Sequence, residues 1–320
     1  GLKLELDLKK GALETDIKSL KKAARQTVGP ELEKRIQIIT ESALIELKDD
    51  FKIYWNNSPI AKLVSGKDYL NPNFELIVDD ILEQNQKRKL IIFIDKWIKE
   101  KVDTVLKSLV NLKNLKDKNS SIKALAYRLY ENNGVIKRKS VTEYVKNLEQ
   151  NDRKILRELG VKFGRYHIFL FKLIKPDAVS LRTLLWKNYH QKYFDMKPPK
   201  FGLNFIDDKK LNRNFMLLCG FEKFNDLFVR IDILERLFVQ IINSDKKESK
   251  EIKMIPEMLN LLGCNKENFK KLLKSMDYRI TEKEENTYFK YSPKKVFKKS
   301  FDKRNKKESP FGILKDLQLN

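Results

Sequence analysis

The stretch "LRELGVKFGRYHIFLFKLIKP", residues 156–176, decides how the chain is read. It closes a helix on Gly160, places a second glycine at Gly164, and runs through Tyr166, His167, Phe169 and Phe171 to a stop at Pro176. Three readings compete: a phosphate loop, a catalytic histidine, or a packed joint between helices. A Walker loop needs GxxxxGKS or GxxxxGKT, so that backbone amides and one lysine wrap the phosphates. Neither "GVKFGRYH" nor "VSGKDYL" has that spacing. A catalytic base needs an oriented partner and a nucleophile, and the sequence near His167 offers no such set. His190 closes a helix, where an imidazole meets free carbonyls. The acid pairs Asp79-Asp80 and Asp207-Asp208 fall where carboxylates cap helices or turns. The joint is the better reading. Gly160 ends the helix, Gly164 allows a tight crossing, and the Phe and Leu side chains pack inward. Lys162, Arg165, Lys172 and Lys175 are left to face solvent or a phosphate backbone.

Composition sets the frame around this joint. A chain of 320 residues buries about three quarters of its unfolded surface and has room for roughly two domains. Apolar residues make up 41%, with only 11 glycines and 9 prolines, while Leu, Lys, Ile and Glu abound. That favours helices over a sandwich or barrel. Lys plus Arg is 67 against 44 Asp plus Glu, a net charge of +23. Self-repulsion of that size fits a polyanionic partner. The longest apolar runs, such as "LIIFI" at 90–94, fall short of the ~18 residues of a membrane span, so no membrane partner is expected. Two cysteines without a CxxC partner and two histidines make a zinc site improbable, and free thiols suit a reducing cytoplasm. No secretory leader is visible. The chain begins with Gly1 rather than Met, which suggests a piece of something longer.

Working outward, Leu2, Leu4, Leu6 and Leu8 alternate with charge and predict a strand ending at Gly11. Helical spacing follows through Leu13, Ile17, Leu20 and Ala24 to a break at "VGP", 28–30, where Pro30 opens the next helix, running to Leu47. "FKIYWNNSPIAKLV" predicts a hairpin turning at Asn56-Asn57, with "FELIVDD" as a further strand. Leu90, Ile94, Trp97, Val102, Val105, Leu109 and Leu112 form one helical stripe. Residues 122–190 read as helical again, and "LFVRIDILERLFVQII" as a short strand running into a helix. "PEMLNLLG" is a helix stopped by Gly263, Asn265 caps "KENFKKLLKSMD", and "YRIT" with "TYFKYSP" makes a hairpin. That order resembles a winged helix-turn-helix. In its second helix Lys266, Lys270 and Lys274 recur at four-residue steps beside Lys271, where they can track phosphates. The tail at 293–307 adds Lys294, Lys295, Lys298 and Lys299 as further phosphate contacts. No internal repeat is visible. The expectation is a mainly α chain: a helical accessory region with a small β hairpin element and a C-terminal winged-helix-like unit. Its segments are 1–117, 118–200 with the "LGVKFG" block, 201–292 for the winged-helix-like domain, and 293–320 for the basic tail.

The block "LGVKFGRYHIFLFKLIKP…LRTLLW" closely resembles one in the C-terminal part of the bacterial relatives of the mitochondrial degradosome helicase, which are superfamily-two, ATP-dependent RNA helicases. "AARQTVGPELEKRI", "RIDILERL", "PEMLNLLGCNKENFKKLLKSMDYR" and "SPFGILKDL" are similar to further blocks of that family, so the resemblance spans nearly the whole chain. Phe171 departs from it, standing where the family usually has proline. The resemblance implies that an ATPase motor precedes this region, that ATP and Mg belong to that motor, and that this chain holds no cofactor or catalytic residue of its own. Its implied partners are RNA or single-stranded DNA, the motor, and a possible protein partner. A stand-alone nucleic-acid-binding module and a protein-docking adaptor are the alternatives.

Overall fold

The computed structural model describes residues 2, 14–42, 44–78, 82–113, 115, 119–244, 251–283 and 286–293. The amino-terminal strand expected at 2–8 and the tail lysines 294, 295, 298 and 299 lie outside them, apart from Leu2. Helix α1 (Glu14–Glu41) runs through Pro30 instead of breaking there. Gln26 and Pro30 are both exposed, so the turn that loses its hydrogen bond lies on the solvent side. An antiparallel meander follows, β1 (Ile45–Leu47), β2 (Lys52–Trp55), β3 (Ser58–Asp68) and β4 (Asn71–Leu76). Asn56 and Asn57 turn β2 into β3 with φ of 44° and 62°, the left-handed pair that a two-residue hairpin requires. Helix α2 (Gln84–Val105) starts on a capping box between Glu83 and Gln86 and buries Leu90, Ile94, Ile98 and Val102. Helix α3 (Lys107–Lys113) continues that stripe with Leu109 and Leu112.

The rest of the chain is built from three units of one topology. The first unit is α4 (Ser120–Glu131), β5 (Val135–Lys137), a 3₁₀ turn (Arg138–Val141), α5 (Thr142–Lys146), α6 (Gln150–Glu158), β6 (Val161–Phe163) and β7 (His167–Leu170). The second is α7 (Pro176–His190), β8 (Phe205–Asp207), α8 (Arg213–Leu218), β9 (Phe221–Phe224) and β10 (Leu227–Arg230). The third is α9 (Ile231–Ser244), β11 (Ile252–Lys253), α10 (Pro256–Leu262), α11 (Lys266–Ser275), β12 (Tyr278–Lys283) and β13 (Asn286–Tyr291). In each, the sheet order is first strand, third strand, second strand: β5-β7-β6, β8-β10-β9 and β11-β13-β12. The second unit lacks the helix that follows the first strand in the others.

A local device recurs where the last helix of each unit meets its hairpin. Gly160, Gly220 and Asp277 have φ of 93°, 85° and 65°. Their amides donate to the carbonyls of Arg157, Leu217 and Lys274, three residues back. A left-handed residue is the usual way to end a helix and turn the chain sharply, and glycine does so without a Cβ penalty.

These sheets correct the mainly α expectation. The chain is mixed α/β, 52% helical and 23% strand, with four small antiparallel sheets. The error lies chiefly in 122–190, where β5, β6 and β7 are only three or four residues long. Strands that short show no alternation. Moreover β7, "HIFL", is buried at all four positions, so period-2 polarity is absent from it.

Helix α7 links the parts. Its Leu181, Leu184 and Leu185 pack with the core of the meander, α2 and the first unit, while Val179 and Trp186 pack with Phe215, Phe221 and Phe228 of the second. Arg182, fully buried, donates to the carbonyls of Asn133 (2.8 Å), Leu173 (3.2 Å) and Leu218. Two of these carbonyls lie at the carboxyl ends of α4 and α8, where a cation is favoured by the helix dipole. Leu234, Leu237, Met258, Leu262, Phe269, Leu272, Leu273 and Phe289 of the third unit form a further core together with Leu227 and Val229 of β10. Among the described residues, no helix is long and apolar enough to cross a membrane.

Candidate nucleic-acid interface

The opening stretch forms the tip that joins the three units. After β6 the chain turns through Gly164, Arg165 and Tyr166, closed by the Gly164 amide on the His167 carbonyl at 2.8 Å. The turn presents three successive amides, those of Arg165, Tyr166 and His167, to one carboxylate, Glu235 of α9; the latter two bonds are both 2.9 Å. Successive amides gathered in this way form an anion-binding nest. A Cβ on Gly164 would stand 2.3 Å from the Glu235 carboxyl carbon, so the approach depends on glycine. Arg138 holds the turn from behind, donating to the Gly164 carbonyl at 2.7 Å.

His167 lies directly beneath. Its Nε2 meets Glu222 Oε2 of β9 at 2.8 Å, and its Nδ1 stands 3.8 Å from Glu235 Oε1. Glu222 is also approached by Lys137 at 3.1 Å and Arg213 at 3.6 Å. Burial alone would lower the His167 pKa, but the hydrogen bond to Glu222 and the nearby carboxylate of Glu235 outweigh it and hold the pKa above its ordinary value. Burial would likewise raise Glu222, and the bond from His167 with the charge of Lys137 keeps it low instead. The buried imidazole thus stands between two carboxylates, each carboxylate coming from a different unit. His167 is thus a structural pin, and the turn is a joint whose glycine is forced by a carboxylate.

The joint lies between two adjacent depressions that share Arg138, Arg165, Phe238 and Ile242 in their linings. The larger is a cleft of about 970 Å³ between the first and third units. Lys137, Arg138, Lys139 and Arg165 line one side, and Lys290 the other. Tyr166, Tyr278, Tyr291, Phe224 and Phe238 supply rings. The smaller hollow, about 650 Å³, is lined by Lys162, Arg165 and Arg236 with Phe163, Phe171, Phe238, Val239 and Ile242. Most of the acids at these surfaces are already occupied. Glu235 is held by the amides, Glu222 by His167 and Lys137, and Asp232 by Arg230 at 2.7 Å. The free charge offered to a ligand is therefore predominantly positive, beside aromatic faces. That combination holds phosphates and stacks bases.

Of the residues singled out from sequence, Lys162 and Arg165 line these depressions. Lys172 and Lys175 are exposed but outside both linings. On α11, Lys266, Lys271 and Lys274 are exposed, whereas Lys270 is tied to Glu282 of β12 at 2.6 Å and to Glu267 at 3.5 Å. Only the carboxyl end of that helix reaches the cleft, through Ser275 and Met276. Sequence reasoning passed over Lys137, Arg138, Lys139, Tyr278, Lys290 and Tyr291. The run "KRK" at 137–139 was a visible signal; the partners across the cleft were not. Comparison with protein-family models, curated proteins and solved structures gives no match to this chain.

Proposed function

We propose that this chain is the nucleic-acid-binding accessory region of a superfamily-two, ATP-dependent RNA helicase, working in the cytoplasm with a motor that supplies the ATP and Mg chemistry. The observation that supports it best is the large cleft, where Lys139, Arg165 and Lys290 share the lining with the half-buried ring of Tyr166 and the exposed ring of Tyr291. Cations take the phosphates and rings take unpaired bases, whose faces are available in a single strand. The net charge of +23 favours the encounter, and the resemblance of the 159–186 block supplies the helicase context.

The test is binding of labelled RNA and single-stranded DNA at two salt concentrations. Lys139→Glu with Lys290→Glu should fold, since both side chains are exposed. It should bind more weakly and with a flatter salt dependence, by about 0.7 in log–log slope for each phosphate that is no longer neutralised. Unchanged affinity and slope in the folded variant would refute the reading.

A further inference from the structure

We infer that the smaller hollow is a second nucleotide subsite, so that one single strand leaves the large cleft, crosses Arg165 and Phe238, and lies against Phe171. This rests on the nucleic-acid reading of the large cleft. The two depressions share Arg138, Arg165, Phe238 and Ile242 in their linings, so they lie side by side and a strand leaving one need pass only over these shared side chains to reach the other. At the crossing point the Arg165 guanidinium stands 5.4 Å over the Phe238 ring, and Tyr166 meets the same ring edge-on at 5.3 Å. A cation layered on a ring offers one phosphate contact and one stacking face together.

The hollow itself has the chemistry of a nucleotide site. Phe171, Val239 and Ile242 are 41%, 55% and 49% exposed, an apolar patch that calls for cover. Lys162 and Arg236 rim it, both exposed. Its two acids, Asp232 and Glu235, are committed to Arg230 and to the turn amides. An apolar floor with a cationic rim and acids already engaged by Arg230 and by backbone amides fits a base and ribose against the floor and phosphates at the rim. A protein partner is the competing occupant. The adjacency to the large cleft favours the strand, because a chain-like occupant of one depression can extend over the shared Arg165 and Phe238 into the other.

The test uses the full chain and labelled uridine oligomers of about 4 to about 16 nucleotides, the range of site sizes of small strand-binding folds. Affinity should rise in two stages with length, the second when the strand reaches the hollow. Phe171→Ala should lower affinity about tenfold for the long oligomers, the effect of losing one stacked base, and leave the shortest unchanged. Arg236→Ala should flatten the salt dependence for long oligomers by about 0.7 in log–log slope, one phosphate contact. All the altered side chains are exposed; if one variant shows a lowered melting temperature, Lys162→Ala replaces it. Binding that depends on length but is unaffected by these variants, or is weakened equally at every length, overturns the inference while leaving the large cleft standing. Failure of any oligomer to bind overturns both.

Discussion

Replacing Gly164 by alanine tests the joint at its narrowest point. The φ of this glycine is not in the left-handed region, so alanine is tolerated by the backbone itself. The conflict is steric: the new Cβ would lie 2.3 Å from the Glu235 carboxyl carbon and 2.6 Å from each of its oxygens. Glu235 must therefore leave the nest, and the amides of Arg165, Tyr166 and His167 are deprived of their acceptor. Hydrogen bonds to a charged group contribute about 1.5–3 kcal/mol each. Water at the cleft edge re-solvates part of what is given up, so we expect a net cost of about 2–4 kcal/mol. In a chain of 320 residues that lowers the melting temperature by roughly 3–6 °C. Hydrogen exchange should show the three turn amides losing protection. The double variant with Glu235→Ala should be no less stable than Glu235→Ala alone, because the clash then has no object. This strong non-additivity is the signature of a direct contact. If Gly164→Ala melts like the wild type with its turn amides still protected, or if the two changes simply add, the carboxylate-in-nest account is wrong.

The same region carries two more tests. The His167 pKa is raised above its ordinary 6.5, so its stabilisation is fully present below that pH and is lost as pH rises through the folded value. Glu222, lowered from 4.5, loses its contribution as pH falls through its folded value, so stability peaks between the two. His167→Gln should flatten the alkaline limb in melts taken across pH; an unchanged limb would show that the ring is not the titrating group. Phe169, buried beside Val135 and Ile231, should cost about 3–5 kcal/mol on truncation to alanine, read as a loss of melting temperature with the neighbouring strands still paired at low temperature. A neutral outcome would remove β7 from the core.

Local features were legible because they are written in adjacent residues. The Asn56-Asn57 turn, the α2 stripe, the passage from β10 into α9, and the Gly263 stop with its Asn265 cap each depend on a few neighbouring side chains. The opening stretch was also legible in part: its glycines announce a helix end and a close approach. The group that makes the approach close, Glu235, stands 71 positions after Gly164 and left no trace there. The α11 lysines show the same limit. Their spacing placed them on a helix face, but only the hairpin packed against it reveals that Lys270 is bound to Glu282.

The sequence by itself determined the charge, the long helices, and the turns and caps, because those arise from composition and from contacts three or four residues apart. Tertiary structure alone decided the threefold topology, since units with strands of two to six residues share a chain path without sharing a readable pattern. It also decided the cleft. Lys139, Arg165, Tyr278 and Tyr291 come together only when the first and third units are pinned on His167. The physical reason is that a buried charge is stable only with its partners in place, and those partners lie on strands and helices far apart along the chain.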